Sequence, residues 1–318
     1  IDVPVIVTLA GGVGAARFLK GLRLVKPPSE LIAIVNTGDD TVLHGLHISP
    51  DLDTVMYSLA GADNPETGWG LAGETWQAMA ALERLGGPTW FSLGDKDLAT
   101  HLYRTGRLAE GGSLSQITQE LCAGFGVEII LLPMSDQPVR TLVTLADADP
   151  QAGRQEVGFQ EYFVALRHEV PIAGLRFEGA EASTPGPGVL PALAEASTII
   201  IAPSNPLVSL GPLWSVPGLA DAVKARRSNV VAVSPIVDGA ALKGPAARML
   251  TELGHEASVV GVANLYKDLA SVLVIDHADA HLANQVEATG MRCVVTDTIM
   301  SSPEVSAALA STVLECGS

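Results

Sequence analysis

Four acidic positions carry the strongest chemical signal in the chain. Asp39 and Asp40 end the run Asn36-Thr37-Gly38-Asp39-Asp40, and Asp51 and Asp53 follow within Ser49-Pro50-Asp51-Leu52-Asp53-Thr54. Adjacent carboxylates repel unless a cation joins them, and Mg²⁺ does this when it bridges carboxylates and substrate phosphates. One acid of such a pair also serves as a general base toward a hydroxyl. Upstream, Gly11-Gly12-Val13-Gly14 offers the complementary half of a phosphate site. Placed between a strand and a helix, such a loop turns backbone N–H groups and the positive end of a helix dipole toward an anion. The pattern is not a dinucleotide fingerprint, because Arg17 stands where the third glycine of G-x-G-x-x-G belongs. It is not a P-loop either, because no Gly-Lys-Ser/Thr follows.

Two further loops belong to the same set. Leu93-Gly94-Asp95-Lys96-Asp97 places Lys96 as a phosphate contact beside Asp97, with a solvated first helical turn as the plain alternative. Ala202-Pro203-Ser204-Asn205-Pro206, running on to Gly211, is a small polar loop after a buried strand. Asp51 suits a helix cap as well as a site role. His277 and His281 have a chelating i,i+4 spacing but lack the glutamate of H-E-x-x-H. Trp69 and Trp76 fit either a core or a stacking role.

The elements that must position these residues read as an α/β fold, a Rossmann-like and mostly parallel sheet flanked by helices, with a smaller inserted α+β subdomain. Strands are expected at Val3–Ala10, Leu31–Val35, Thr89–Leu93, Thr198–Ala202, Asn229–Val233, Ser271–Ile275 and Met291–Val295. Helices are expected at Ala15–Val25, Asp53–Leu59, Glu74–Leu85 and Leu114–Phe125. Strand-like stretches Glu128–Leu132, Thr141–Leu145 and Gln160–Leu166 follow one another, with a polar loop or hairpin at Ala146–Gly158. This divides the chain into a nucleotide-binding core, 1-126 and 184-318, and an inserted subdomain, 127-183. In an open parallel sheet these motifs all fall at the carboxyl edge, where ligands bind.

Composition narrows the ligand. The 318 residues are 47% hydrophobic and only 4% aromatic, as suits a buried parallel sheet. With 19 basic against 35 acidic residues the net charge is −16, which disfavours nucleic acid as a partner. A phosphorylated small molecule then needs local backbone N–H groups or a metal. Three widely spaced cysteines, Cys122, Cys293 and Cys316, give neither a disulfide framework nor a zinc site. The start of the sequence passes directly into an apolar strand without a basic n-region, and no apolar run reaches membrane-spanning length. The expectation is a cytoplasmic protein without membrane association, and a homodimer on frequency grounds.

Taken in order, Gly11–Gly14, Asn36–Asp40, Ser49–Thr54, Leu93–Asp97, Leu132-Pro133-Met134-Ser135-Asp136, Pro203–Pro206 and Val233-Ser234-Pro235-Ile236 resemble the 2-phospho-L-lactate transferase family of deazaflavin (coenzyme F420) biosynthesis across nearly the whole chain. The resemblance implies a Mg²⁺-dependent transferase. Its acceptor would be the ribityl hydroxyl of the deazaflavin Fo. Its donor would be a guanosine diphosphate ester of lactate, enolpyruvate or glycerate, and GMP would leave. Carried onto this sequence, Gly11, Gly12, Gly14, Ser204 and Asn205 would hold the guanosine diphosphate, with Asn36, Lys96, Asp97 and Gly211 as further substrate-binding residues. Asp40 and Asp53 would bind the metal, and Asp39 or Asp40 would be the base. From their position in the chain, Met134, Ser135 and Asp136 are expected to border the acceptor. Where the family often has Gly-Gly or Thr-Pro, this chain has Ala15-Ala16. Two rivals remain: an NAD-dependent dehydrogenase, and a nucleotide-sugar-binding regulatory protein of similar fold.

Overall fold

A computed structural model describes residues 4–147, 153, 155–241 and 244–317. Its strands are β1 (Val5–Ala10), β2 (Leu31–Val35), β3 (Thr41–Leu43), β4 (Leu46–Ile48), β5 (Ile130–Pro133), β6 (Arg140–Leu145), β7 (Glu156–Gly158), β8 (Ile172–Glu178), β9 (Ala196–Ile201), β10 (Val230–Val233), β11 (Ile236–Val237), β12 (Ala240–Ala241), β13 (Val272–Ile275) and β14 (Arg292–Val295). Seven of them form one parallel sheet in the order β14-β13-β10-β9-β1-β2-β5. The strands are nearly continuous aliphatic runs because both faces are covered. Alternate residues feed separate cores: Val7, Leu9, Ile34, Ile199 and Ile201 on one face, and Ile6, Ala10, Ala33, Val35 and Ile200 on the other.

The chain begins at the centre of this sheet, runs outward through β2 to β5, then returns to β9 on the opposite side of β1. The order therefore reverses between β1 and β9, and the crevice outside their carboxyl ends is where such sheets take ligands. Helix α1 (Gly12–Val25) leaves β1 there. Helix α2 (Pro50–Leu59) packs beside it, and α3 (Gln77–Arg84), α4 (Asp95–Ala109) and α5 (Leu114–Phe125) follow. Helix α5 is closed by a capping box between Ser113 and Gln116 and ends at Gly126 with φ 69°.

The segment after β5 is a three-stranded antiparallel layer, β7-β6-β8, standing beside the main sheet. Its first expected strand, around Glu128–Leu132, is instead β5 and belongs to the main sheet. Two strand expectations fail. Thr89–Leu93 is irregular, with Trp90 and Phe91 packed edge to face at 5.8 Å. Gln160–Leu166 holds a π-helical turn, Glu161–Ala165, whose Phe163 stacks on the preceding Phe159 at 5.6 Å. Periodicity does not separate a short apolar strand from a helical turn of that length. Part of the Ala146–Gly158 loop lies outside the described residues.

Candidate functional site

The glycine loop and the loop after β9 meet across the switch point. Ser204 Oγ donates to the Gly11 carbonyl at 2.6 Å and accepts from the Gly11 N–H at 3.3 Å. Gly12 opens α1 at φ 67°, a left-handed conformation that a side chain resists. At Gly14 a Cβ would run into the Pro203 carbonyl oxygen, so this glycine is demanded by packing between the two loops. No described side chain caps the helix start, so its first N–H groups have no side-chain acceptor.

The acids gather beside this helix start. Asn36 ends β2, and its amide orders them: Nδ2 donates to Asp51 at 2.9 Å and to Asp39 at 3.4 Å, while Oδ1 accepts from the Gly38 N–H at 2.7 Å. Asp51, buried on the first turn of α2, lies against Gly11 and Gly12. Burial raises its pKa to about 6, against the lowering hydrogen bond from Asn36. Asp39 is held well above the carboxylate range by burial, then by the charges of Asp51 and Asp40. Gln160 reaches across from the antiparallel layer, its Nε2 donating to the Asp39 carboxylate at 3.1 Å and to its carbonyl at 3.3 Å. Asp40 accepts from Ser49 Oγ at 2.7 Å on one oxygen, while its enclosed Oδ1 has no partner. Burial lifts Asp40 to about 8, with Asp53 and Asp51 adding to the rise and Ser49 and Arg104 opposing it.

Behind Asp40 the chemistry is reversed. Asp53 is gripped by both terminal nitrogens of Arg104, a residue only 2% exposed, and His101 Nδ1 stands 3.7 Å from the same carboxylate. Asp97 accepts from Tyr57 Oη at 2.6 Å and has His101 Nε2 at 3.3 Å. Burial alone would raise Asp97, but His101, Tyr57 and Arg104 together bring it below its usual value. The atoms of Asp53, Asp97 and His101 lie close enough to share an ion, yet Arg104 already neutralises that group.

Two cavities open from Asp40. One of about 380 Å³ is bordered by Gly38, Asp39, Trp90, Phe159 and Gln160. The other, about 120 Å³, is bordered by Thr37, His47, Arg104 and Leu114; Arg140 lines both. Neither is lined by Gly11, Gly12, Ser204 or Asn205.

Residues 6–313 match the sequence pattern of the family described as 2-phospho-L-lactate transferase CofD. The chain belongs to the CofD family. It is 46% identical to the phosphoenolpyruvate transferase of Kitasatospora aureofaciens over 97% of this chain and 96% of that one. The phosphoenolpyruvate transferases of Thermobifida fusca and Mycolicibacterium smegmatis are 43% and 39% identical, each over 96% of this chain, covering 95% and 96% of those proteins. Among solved structures, a Bacillus halodurans protein superposes with a TM-score of 0.62 over 98% of this chain and 99% of that one, at 17% identity. A crystal structure titled as a member of the UPF0052 family, from the same organism, gives 0.60 at 16% identity over 98% and 99%. At that identity these two show the fold alone. The CofD family makes the chain a transferase of coenzyme F420 biosynthesis.

Against that family setting the expected site residues divide. Gly11, Gly12, Gly14, Asn36, Asp39, Asp40, Asp51 and Ser204 come together at the switch point. Gly211 begins a short helix whose Pro212 packs on Gly38. Asn205 accepts from the Leu207 and Val208 N–H groups and shapes its own turn. Four placements differ from expectation. Met134 is fully buried in the main core, because β5's inward alternation continues one residue past its end. Ser135 is also fully buried, and Asp136 caps α5 through the Ser115 N–H and Oγ, both at 2.7 Å. Lys96 Nζ is tied to the Ala72 carbonyl at 2.9 Å instead of a phosphate position. Trp69 and Trp76 line neither cavity; the aromatic walls are Trp90 and Phe159.

Arg104 and Gln160 were not expected from sequence. The signal for Arg104 was present, because Asp97, His101 and Arg104 at i, i+4 and i+7 share one helix face. Gln160 lay inside an expected strand, where no side-chain role was apparent.

Proposed function

We propose that the chain transfers a phosphorylated three-carbon acid from a guanosine diphosphate donor to the ribityl hydroxyl of Fo. The observation that carries this reading is the enclosed, unpartnered Oδ1 of Asp40, set among acids that raise one another's pKa values. A buried polar atom without a partner calls for an occupant. This arrangement fits a divalent cation, and Mg²⁺ is the ion expected where carboxylates meet phosphates. Asp40 would hold it, with Asp51 and Asp39 supplying neighbouring charge. Asp53, first expected as the second ligand, serves in this reading as the partner of Arg104. When bound, Mg²⁺ neutralises charge on the phosphate oxygens.

The α1 start and the Ser204–Asn205 loop take the diphosphate. The cavity walled by Trp90 and Phe159 takes the flat acceptor, which brings its hydroxyl to Asp39. A carboxylate with a raised pKa is a strong base when ionised. Asp39 accepts the hydroxyl proton, the ribityl oxygen bonds to the phosphorus that carries the acid, and the bond from that phosphorus to GMP breaks. The phosphoenolpyruvate transferases above suggest enolpyruvate as the acid. A homodimer in the cytoplasm belongs to the same reading.

The test is direct. Purified protein with Fo, Mg²⁺ and the lactyl, enolpyruvyl or glyceryl ester of guanosine diphosphate yields GMP and a phosphorylated deazaflavin, followed by chromatography. Absence of GMP with all three donors refutes the proposal.

A further inference from the structure

The cavity of about 120 Å³ beside Asp40 is not accounted for by nucleotide or acceptor. One part of its lining is aliphatic, with Val42, Ile48, Leu108, Leu114 and Val139 among the walls, and two arginines border it. Arg104 is fully buried and its Nε has no partner, although its terminal nitrogens hold Asp53. Arg140, at the start of β6, makes no side-chain hydrogen bond or ion pair with another described residue. Both guanidinium charges act on the same wall: His47, which also lines the cavity, is held below its usual pKa by burial, then by Arg104, then by Arg140. The acids on this lining are Asp40 and Asp136. The first sits where the metal is placed above, and the second is turned to the Ser115 cap at 2.7 Å. The Thr37 hydroxyl, also on the lining, is buried without a partner.

We propose that this cavity is the pocket for the carboxylate and short carbon skeleton of the transferred acid, with Arg140 as the residue that binds the carboxylate. This rests on the transferase reading above. A guanidinium without a protein partner presents a planar fork matched to a carboxylate. The aliphatic walls suit a methyl or methylene group. The room is too small for a nucleoside or a deazaflavin, which fits a three-carbon unit lying next to the reacting phosphorus at Asp40. Arg104 contributes positive potential from behind and cannot move, because Asp53 fixes it. Arg140 lies where the small and large cavities adjoin, so the acid and the attacking hydroxyl approach one phosphorus from two sides.

The experiment compares two donors on two proteins. One donor is the enolpyruvyl ester of guanosine diphosphate, and the other is its ethyl ester, which lacks the carboxylate. The wild-type protein prefers the enolpyruvyl ester, in KM, by tenfold or more, and Arg140→Gln brings that ratio to within about threefold of unity. Arg140→Lys, which keeps the charge and loses the fork, gives an intermediate ratio. An unchanged ratio in Arg140→Gln overturns the assignment, as does a rise in the KM for Fo with the donor ratio intact. Calorimetric titration of both esters in the absence of Fo reads the same ratio as binding. The pocket is therefore tested even where no GMP is released, which is the separate failure of the transferase reading.

Discussion

Two groups of carboxylates lie back to back in this protein and are treated in opposite ways. Asp53 and Asp97, between α2 and α4, are met by a buried arginine, a histidine and a tyrosine hydroxyl. Asp39, Asp40 and Asp51, on the crevice side, receive only neutral donors from Asn36, Ser49 and Gln160, and burial raises all three pKa values. Both groups are enclosed, so burial does not distinguish them. The distinction is compensation: the first group is complete without a ligand, and the second is complete only with protons or a cation. On the proposed reading the compensated group is framework, and the uncompensated one is where binding energy is gained.

The largest expected effect comes from breaking the compensated group. Arg104→Met leaves the Asp53 carboxylate buried without its partner, and removing one member of such a pair costs about 3–5 kcal/mol. Urea unfolding measures it. A loss below about 1 kcal/mol would show that Asp53 is protonated or reaches water, and the contrast between the two groups would collapse.

The reverse is expected on the crevice side. Asp40→Asn removes charge from a group that already has too much, so the metal-free variant is at least as stable as wild type at pH 8, while turnover falls by about a hundredfold to a thousandfold. The pH course sharpens this. An acid whose folded pKa exceeds its unfolded value near 4 binds its proton more tightly when folded. Its stability contribution is full below that value and is lost as pH rises toward the folded values, about 6 for Asp51 and about 8 for Asp40. In chelator-treated wild type the thermal midpoint therefore declines between pH 5 and 8, by the equivalent of about 5 kcal/mol, and Mg²⁺ restores it at the upper end. Asp40→Asn flattens the decline. A midpoint that rises over this range in metal-free protein contradicts the pKa directions.

How much of this contrast was readable beforehand depends on where each residue sits. The acids after β2 and the glycine loop after β1 were legible because a parallel sheet fixes its carboxyl edge as the ligand side, so loop motifs map to one place. Within that edge, direction was not legible: Met134 stands in a polar-looking loop but continues the inward alternation of β5. Arg104 could be placed on the helix face of Asp97 and His101, but its burial was hidden for another reason. On a helix rich in charged residues, a buried arginine reads like its solvated neighbours until the partner on α2 is known. Gln160 was missed because its bonds to Asp39 span 121 residues and its segment is a π-helical turn with no periodic signature.

Gln160 supplies the smallest and most selective test. It is the one described side chain of the antiparallel layer with a hydrogen bond to the crevice acids, and it donates both bonds through a single nitrogen. Gln160→Ala removes a neutral donor from a carboxylate, a loss of about 1–2 kcal/mol in stability near neutral pH. Because the bond to the carboxylate favours the ionised form of Asp39, its removal raises the pKa further. The acidic limb of the kcat profile should then move to higher pH while the KM for the guanosine diphosphate donor stays within about twofold. Gln160→Glu tests the same point with the opposite sign of interaction, placing another carboxylate against Asp39 and moving the limb further in the same direction. A limb that stays in place in both variants would remove Asp39 from the base role and leave Asp40 to carry it. In that event the antiparallel layer would be a wall of the acceptor cavity with no hold on the chemistry.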